Sequence, residues 1–218
     1  MFVTMDFEIA DRILPSICSI AIITWENGKI IDTYQSLVNP DCEVEVFFKD
    51  RHGINDWQLS EAPSLSDIWI PVFDRLENKM VFCWNPNQSF RTMMHKAEIE
   101  QLNMPNLIYG SVMSIYRRTW GNDGSTNLRD ASEMLHMTNI HNNAYEDART
   151  LGRMIYGAAR HLELDNVYLL FRKIGFAGGI IKDGIRIPYS AVKQKGNDIY
   201  IAKERKGQLP VYAAVSVV

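Results

Sequence analysis

Two carboxylates stand two residues apart in the apolar opening segment FVTMDFEIA, at Asp6 and Glu8. In a strand, successive side chains alternate faces, so both acids project the same way. Burying like charges side by side costs on the order of several kcal/mol unless something positive lies between them. Paired carboxylate oxygens of this kind hold a hard divalent cation, as phosphoryl-transfer chemistry requires. A strand whose acids face water is the plainer reading, and the pair alone does not choose between them. The residues that follow do: a histidine-glycine pair at His52-Gly53, the loop residues Asn87 to Arg91, and a third acid, Asp147, in a late helical segment.

The elements that must position these residues are legible in outline. Three strand-like runs, FVTMDFE, ICSIAIITWE and GKIIDTYQSLV, fill the first forty residues. Asn27-Gly28 joins the second to the third, and both residues tolerate the positive φ of a tight hairpin. Residues 41 to 62 read as irregular. A helix is predicted from about Ser64 to Leu76, then a buried strand at KMVFCW and a loop at NPNQSF. Another helix runs from about Ser89 to Leu102. LIYGS reads as a strand leading into a turn of helix, and TNLRDASEML as a helix capped by Thr126 or Asn127. The most regular helix is NNAYEDARTLGRMIYGAARHL, with Ala144, Ala148, Leu151, Ile155 and Ala158 along one stripe. Beyond about Val167, Gly178-Gly179, Asp183-Gly184, Gly196-Asn197 and Lys206-Gly207 punctuate short Ile/Val/Tyr runs, a hairpin texture.

Composition sets the outer bounds. At 218 residues and 46% hydrophobic, the chain suits one well-buried domain with a small addition. No apolar run approaches the roughly 18 residues of a membrane span, and no basic segment precedes an apolar leader. Three widely spaced cysteines suit a reducing cytoplasm better than a disulfide framework. The net charge of −3 conceals a basic tail: residues 166–218 hold nine Lys/Arg against three Asp/Glu. That tail, with Tyr168, Phe171, Tyr189 and Tyr200 interleaved, suits either a polyanion or ordinary hairpin packing.

The order of DFEIA, SICSIAI, LVNPD, HGI, NQSF and NNAYEDA resembles that of the DEDDh branch of the DnaQ-like 3′–5′ exonucleases, over residues 2 to 160. The resemblance implies an RNase H-like α/β fold, a mixed central sheet flanked by helices. It also implies removal of nucleotides from a 3′ end of DNA or RNA. In that family four acids hold two Mg²⁺ or Mn²⁺ ions and a histidine orients or deprotonates the attacking water. Asp6 and Glu8 fill the first motif, and Ile9 replaces the threonine that commonly follows it. Asn87 and Phe90 match the second motif, N-x-x-F-D, but Arg91 occupies its aspartate position. Asp147-Ala148 matches the end of the last motif, whose histidine position falls on Asn142, with His141 one residue upstream.

These two departures shape the expected chemistry. A guanidinium in place of a carboxylate changes the local charge by two units, and its pKa of about 12.5 or more keeps it charged. No aspartate lies between Asp74 and Asp123, and Glu98 lies about 10 Å further along the helix. Asparagine has no basic nitrogen and can only orient a water. A second register pairs His141 with Glu146 but gives up both alanine matches; adjacent helical residues face about 100° apart, so only one register faces the site.

The expectation is an exonuclease-type domain over 1–165 and a small basic β-rich module over 166–218. Asp6, Glu8 and Asp147 are the expected ligands of one Mg²⁺ or Mn²⁺ ion, or of none if Arg91 neutralises them. Asn142, or His141 as its substitute, completes the catalytic set, and Ile9, Asn87, Phe90 and Arg91 face the nucleic acid. The function so read is 3′-end binding with hydrolysis weak or lost. Two alternatives stay open: an active exonuclease rearranged around Arg91 and His141, and a non-catalytic subunit that binds a protein partner or a second copy.

Overall fold

The computed structural model describes residues 1–12, 16–121, 127–138 and 141–188, and short strands up to residue 200. The chain opens with β1 (Phe2–Ile9), β2 (Ile17–Glu26) and β3 (Lys29–Leu37), an antiparallel meander. Asn27 and Gly28 take φ of 47° and 79°, the two left-handed positions the hairpin needs. Next come α1 (Val46–His52), α2 (Asp56–Ser60) and α3 (Trp69–Leu76). The stretch expected to be irregular therefore holds two short helices, too short for a helical period to show. Gly53, at φ 71°, ends α1 and donates its N–H to the Lys49 carbonyl over 2.8 Å.

Strand β4 (Met80–Cys83) then lies parallel to β1, and α4 (Pro86–Ile99) follows it. The expected loop at NPNQSF is instead the first turn of α4, because Pro86 suits the first helical position, where no N–H is needed. Strand β5 (Leu107–Ser111) runs parallel to β4, followed by α5 (Val112–Trp120), α6 (Leu128–Met134), α7 (Ala144–His161) and α8 (Leu169–Ile174). Asn127 is the cap of α6, accepting the Asp130 N–H at 2.8 Å. Short strands close the described chain: β6 (Phe176–Ala177), β7 (Gly179–Lys182), β8 (Ile185–Ile187), β9 (Ser190–Ala191), β10 (Lys193–Lys195) and β11 (Asp198–Tyr200).

Among the described residues, seven strands form one mixed sheet in the order β3-β2-β1-β4-β5-β7-β8, the expected α/β architecture. The hairpin at Asp183-Gly184 joins β7 to β8, and β7 pairs antiparallel with β5. Thus the stretch expected to begin a separate module at 166 continues the main sheet as far as Ile187, and Leu170 and Ile174 of α8 pack into the same core as α7. Gly196-Asn197, Lys206-Gly207 and Tyr189 lie outside the described residues, as does the side chain of Tyr200. No helix among the described residues is long and apolar enough to cross a membrane.

Two cores flank the sheet, set by strand alternation. Val3 and Met5 point toward α3 and α4, packing with Val72, Phe90 and Met93. Phe2 points the other way, toward the expected stripe Ala144, Ala148, Leu151, Ile155 and Ala158 of α7. Burying each Leu or Ile of that stripe contributes about 1.5–3 kcal/mol. Gly152 permits the close approach: a Cβ there would lie 2.2 Å from the Trp25 ring. The Trp25 indole N–H is in turn satisfied by Thr4 Oγ1 at 2.9 Å. Helix α7 is thereby pressed onto the face of β1 that carries Asp6 and Glu8.

Candidate active site

Asp6 and Glu8 follow Thr4 on the α7-facing side of β1, just before a bulge at Glu8–Ile9. Asp147, in the first turn of α7, meets them: one ligand oxygen from each of the three lies within 4.8 Å of the others. Asn143 caps the helix, its Oδ1 accepting the Tyr145 and Glu146 N–H groups at 3.1 Å, and so fixes where Asp147 sits. Glu8 and Asp147 are each only 9% exposed.

Confinement of three acids has an electrostatic signature. Burial, then Asp147 and Glu8, raise the Asp6 carboxyl well above its usual range, with Arg51 pulling the other way. Burial and Asp147 push Glu8 up to about 7, again against Arg51. Hard carboxylate oxygens under mutual repulsion fit a divalent ion, which Asp6, Glu8 and Asp147 would hold. When bound, such an ion polarises a phosphate oxygen and acidifies a water.

The segment before α7 departs from helical counting. Helix α7 begins at Ala144, so the rule of 100° per residue does not extend back to 141 and 142. Asn142 has φ of 60°, and the chain turns there. His141 is the residue brought to the acids: its Nδ1 lies 3.8 Å from Asp147 Oδ1, and its Nε2 lies 3.3 Å from Ser132 Oγ. Asn142 is engaged elsewhere, its Oδ1 accepting the Arg51 Nε–H at 2.8 Å.

Arg91 does not join the acids. It is exposed and lines a groove with Met94, His95 and Arg186, and it is not among the charges that shift Asp6 or Glu8. Ser89, two positions earlier and about 200° away round the helix, is half-buried instead. Ser89 hydrogen-bonds the Cys83 thiol, which burial and the Asp6 charge both hold protonated. Among the described residues, the cation whose charge acts on both Asp6 and Glu8 is Arg51, from α1, which no motif marked.

No family model matches the chain. Among curated proteins, the PolC-type DNA polymerase III of Caldanaerobacter subterraneus subsp. tengcongensis is 22% identical over 151 residues, 68% of this chain. The match spans only 11% of that polymerase. Among solved structures, exonuclease X in complex with 5′ overhanging duplex DNA superposes with a TM-score of 0.62 at 18% identity, covering 80% of this chain and all of that one. A full-length 3′-exonuclease gives 0.67 at 14% identity, covering 93% and 98%. The nuclease domain of 3′hExo, a DEDDh family member bound to rAMP, gives 0.58 at 16%, covering 74% and 91%. The fold is that of the DnaQ-like 3′–5′ exonucleases.

Within this exonuclease fold the remaining expected residues scatter. Phe90 is fully buried against Tyr109, ring centroids 4.8 Å apart, and so is core. Asn87 is exposed at the start of α4 and accepts at 2.9 Å from Nη1 of Arg186, which itself lines the groove of Arg91. Ile9 is half-buried and packs on a small cluster with Phe48 and Leu59. The HGI segment has a positioning role: His52 Nδ1 accepts the Ile54 N–H at 3.1 Å, and its Nε2 lies 3.7 Å from Cys18 Sγ. That anchors the end of α1, and with it Arg51. Four of the nine expected site residues, Asp6, Glu8, His141 and Asp147, converge; Asn142 borders them through Arg51.

Proposed function

We propose that the chain binds the 3′ end of a DNA or RNA strand in the cleft above Asp6, Glu8 and Asp147, with one Mg²⁺ or Mn²⁺ ion, and hydrolyses it slowly. The observation that carries this reading is the acid cluster itself: three carboxylates within 4.8 Å, with Ser89 rather than an acid on the adjoining turn of α4. Three acids suffice for one ion and leave a second without its share of ligands. Exonuclease X and 3′hExo, which share the fold, are described with DNA and rAMP bound. In this cleft His141 is the group able to accept a proton from water, steadied by Asp147 and Ser132. That contact also favours a second reading, full exonuclease activity through a rearranged site. Three free cysteines suit a reducing, cytoplasmic setting.

The test incubates end-labelled single- and double-stranded DNA and RNA with the protein and Mn²⁺, beside Asp6→Ala. Slow stepwise loss from the 3′ end, absent in Asp6→Ala, is the expected result. Rapid turnover would favour the second reading. Cleavage undiminished in Asp6→Ala would betray a contaminant, and failure to bind any strand with or without Mn²⁺ would end the proposal.

A further inference from the structure

The cleft also contains a cation supplied by the chain. Arg51 closes α1, and its Nε donates 2.8 Å to Asn142 Oδ1. Among the described residues it makes no ion pair within 4 Å of any carboxylate, and its two Nη groups donate to no protein acceptor. It is exposed to solvent, yet its charge is felt at both Asp6 and Glu8.

We propose that Arg51 is a built-in phosphate clamp, tethered by Asn142 beside the acid cluster so that its free Nη edge takes the phosphodiester nearest the 3′ end of a bound strand. The inference rests on the nucleic-acid reading of the cleft and names the group that grips the backbone there.

Three features support it. First, the guanidinium is pre-positioned, because α1 is pinned at both ends. The Glu45 N–H donates to the Ala10 carbonyl at 2.9 Å, Glu45 Oε1 takes the Arg12 N–H at 3.0 Å, and Gly53 and His52 lock the other end. Second, the tether uses Nε and leaves the end-on fork, whose two parallel donors match the oxygens of a phosphate. Third, an arginine that served only to neutralise the acids would close onto them as an ion pair. Arg51 is held off them by a neutral amide, with donors directed to no other group of the protein. A strand entering a cleft lined by three acids needs such a positive group. With one acid too few for a second ion, a fixed guanidinium supplies it.

The full chain is titrated into a 5′-fluorescein oligothymidylate with a 3′ hydroxyl, in EDTA so that nothing is cleaved, and anisotropy is read. Arg51→Gln is expected to weaken binding about tenfold or more, Arg51→Lys less, and Asn142→Ala by about threefold through loss of the tether. Lys29→Gln, the same charge change at the distant β2–β3 turn, leaves binding within about twofold. Mn²⁺ binding to Arg51→Gln, followed by electron paramagnetic resonance, is retained or tightened, which also shows that the variant is folded. Unlabelled oligothymidylate competes, whereas inorganic phosphate needs about a thousandfold more. Arg51→Gln binding like wild type, equal losses in Lys29→Gln, or equal competition by phosphate would each overturn the clamp. So would a wild type that binds no strand in EDTA. Binding restored by Mn²⁺ in that case would keep the cleft's broader reading, and its absence in both buffers would end both.

Discussion

His141 Nδ1 lies 3.8 Å from Asp147 Oδ1 while its other ring nitrogen meets Ser132 Oγ at 3.3 Å, so the imidazole is held from both sides at the edge of the acid cluster. Under the proposed hydrolytic reading a histidine so oriented serves as general base, and such a base is typically worth about 10²–10⁴-fold in rate. Removing it by His141→Ala should lower the turnover of a saturating 3′-hydroxyl oligonucleotide in Mn²⁺ by about 10²-fold. Asn142→Ala should weaken strand binding yet leave saturated turnover within a few-fold. Single-turnover assays separate the two. Equal losses of turnover in both variants would show that the assignment of His141 over Asn142 is mistaken.

Asp6 is held far above its usual ionisation range by burial and by two neighbouring acids, a destabilising arrangement in the metal-free protein. Replacing it by the neutral isostere removes that repulsion. Asp6→Asn should therefore stabilise the protein in EDTA by about 1–3 kcal/mol, a melting-temperature rise of roughly 2–12 °C for a chain of this size. The same variant should lose the stabilisation that Mn²⁺ gives wild type. Thermal melts in EDTA and in Mn²⁺ test both halves. A lower melting temperature in EDTA with an undiminished Mn²⁺ shift would contradict the cluster's role.

Glu8 gives the pH dependence its sign. Its folded-state pKa, about 7, is raised from 4.5. The folded state therefore binds more protons than the unfolded state between those values. Its contribution is complete below about pH 4.5 and is lost as pH rises through about 7, on the order of 3 kcal/mol. Metal-free protein should accordingly lose stability from Glu8 as pH climbs across this window, and Glu8→Gln should flatten the profile. Urea titrations in EDTA at several pH values measure it. A wild-type profile parallel to that of Glu8→Gln would refute the prediction.

How much of this site was legible in the sequence follows from what each residue depends on. Asp6 and Glu8 lie on one strand, where alternation alone fixes their shared face. Asp147 lies in an amphipathic helix whose stripe sets its orientation. The seven-stranded sheet's antiparallel start followed from Asn27-Gly28. The choice of His141 over Asn142 depended on a single left-handed residue outside any helix, which no period encodes. Arg91 lies in the groove rather than among the acids, on a helix that Pro86 starts earlier than apolar spacing suggests. Arg51 could not be found by spacing, since it reaches the acids from a short helix in a segment without recognisable periodicity. The hydrogen bond that reveals it links residues 91 positions apart.

The orientation of α4 yields the sharpest design. Ser89 sits in the first turn, hydrogen-bonded to Cys83, whose thiol senses the Asp6 charge, whereas Arg91 is turned about 200° away. If the missing fourth acid belongs on that turn, Ser89→Asp should create it, and Arg91→Asp should not. Ser89→Asp adds a fourth carboxylate to a site already short of cations, so the metal-free protein should lose about 1–3 kcal/mol of stability. With Mn²⁺ present the cost should be offset, the bound stoichiometry should rise from one ion to two, and 3′ cleavage should increase about tenfold or more. Arg91→Asp should keep the wild-type stoichiometry and rate, since its carboxylate would face the groove beside His95 and Arg186. Calorimetric Mn²⁺ titrations and cleavage assays on both variants decide the matter. A second ion in Arg91→Asp but not in Ser89→Asp would reverse the orientation assigned to α4.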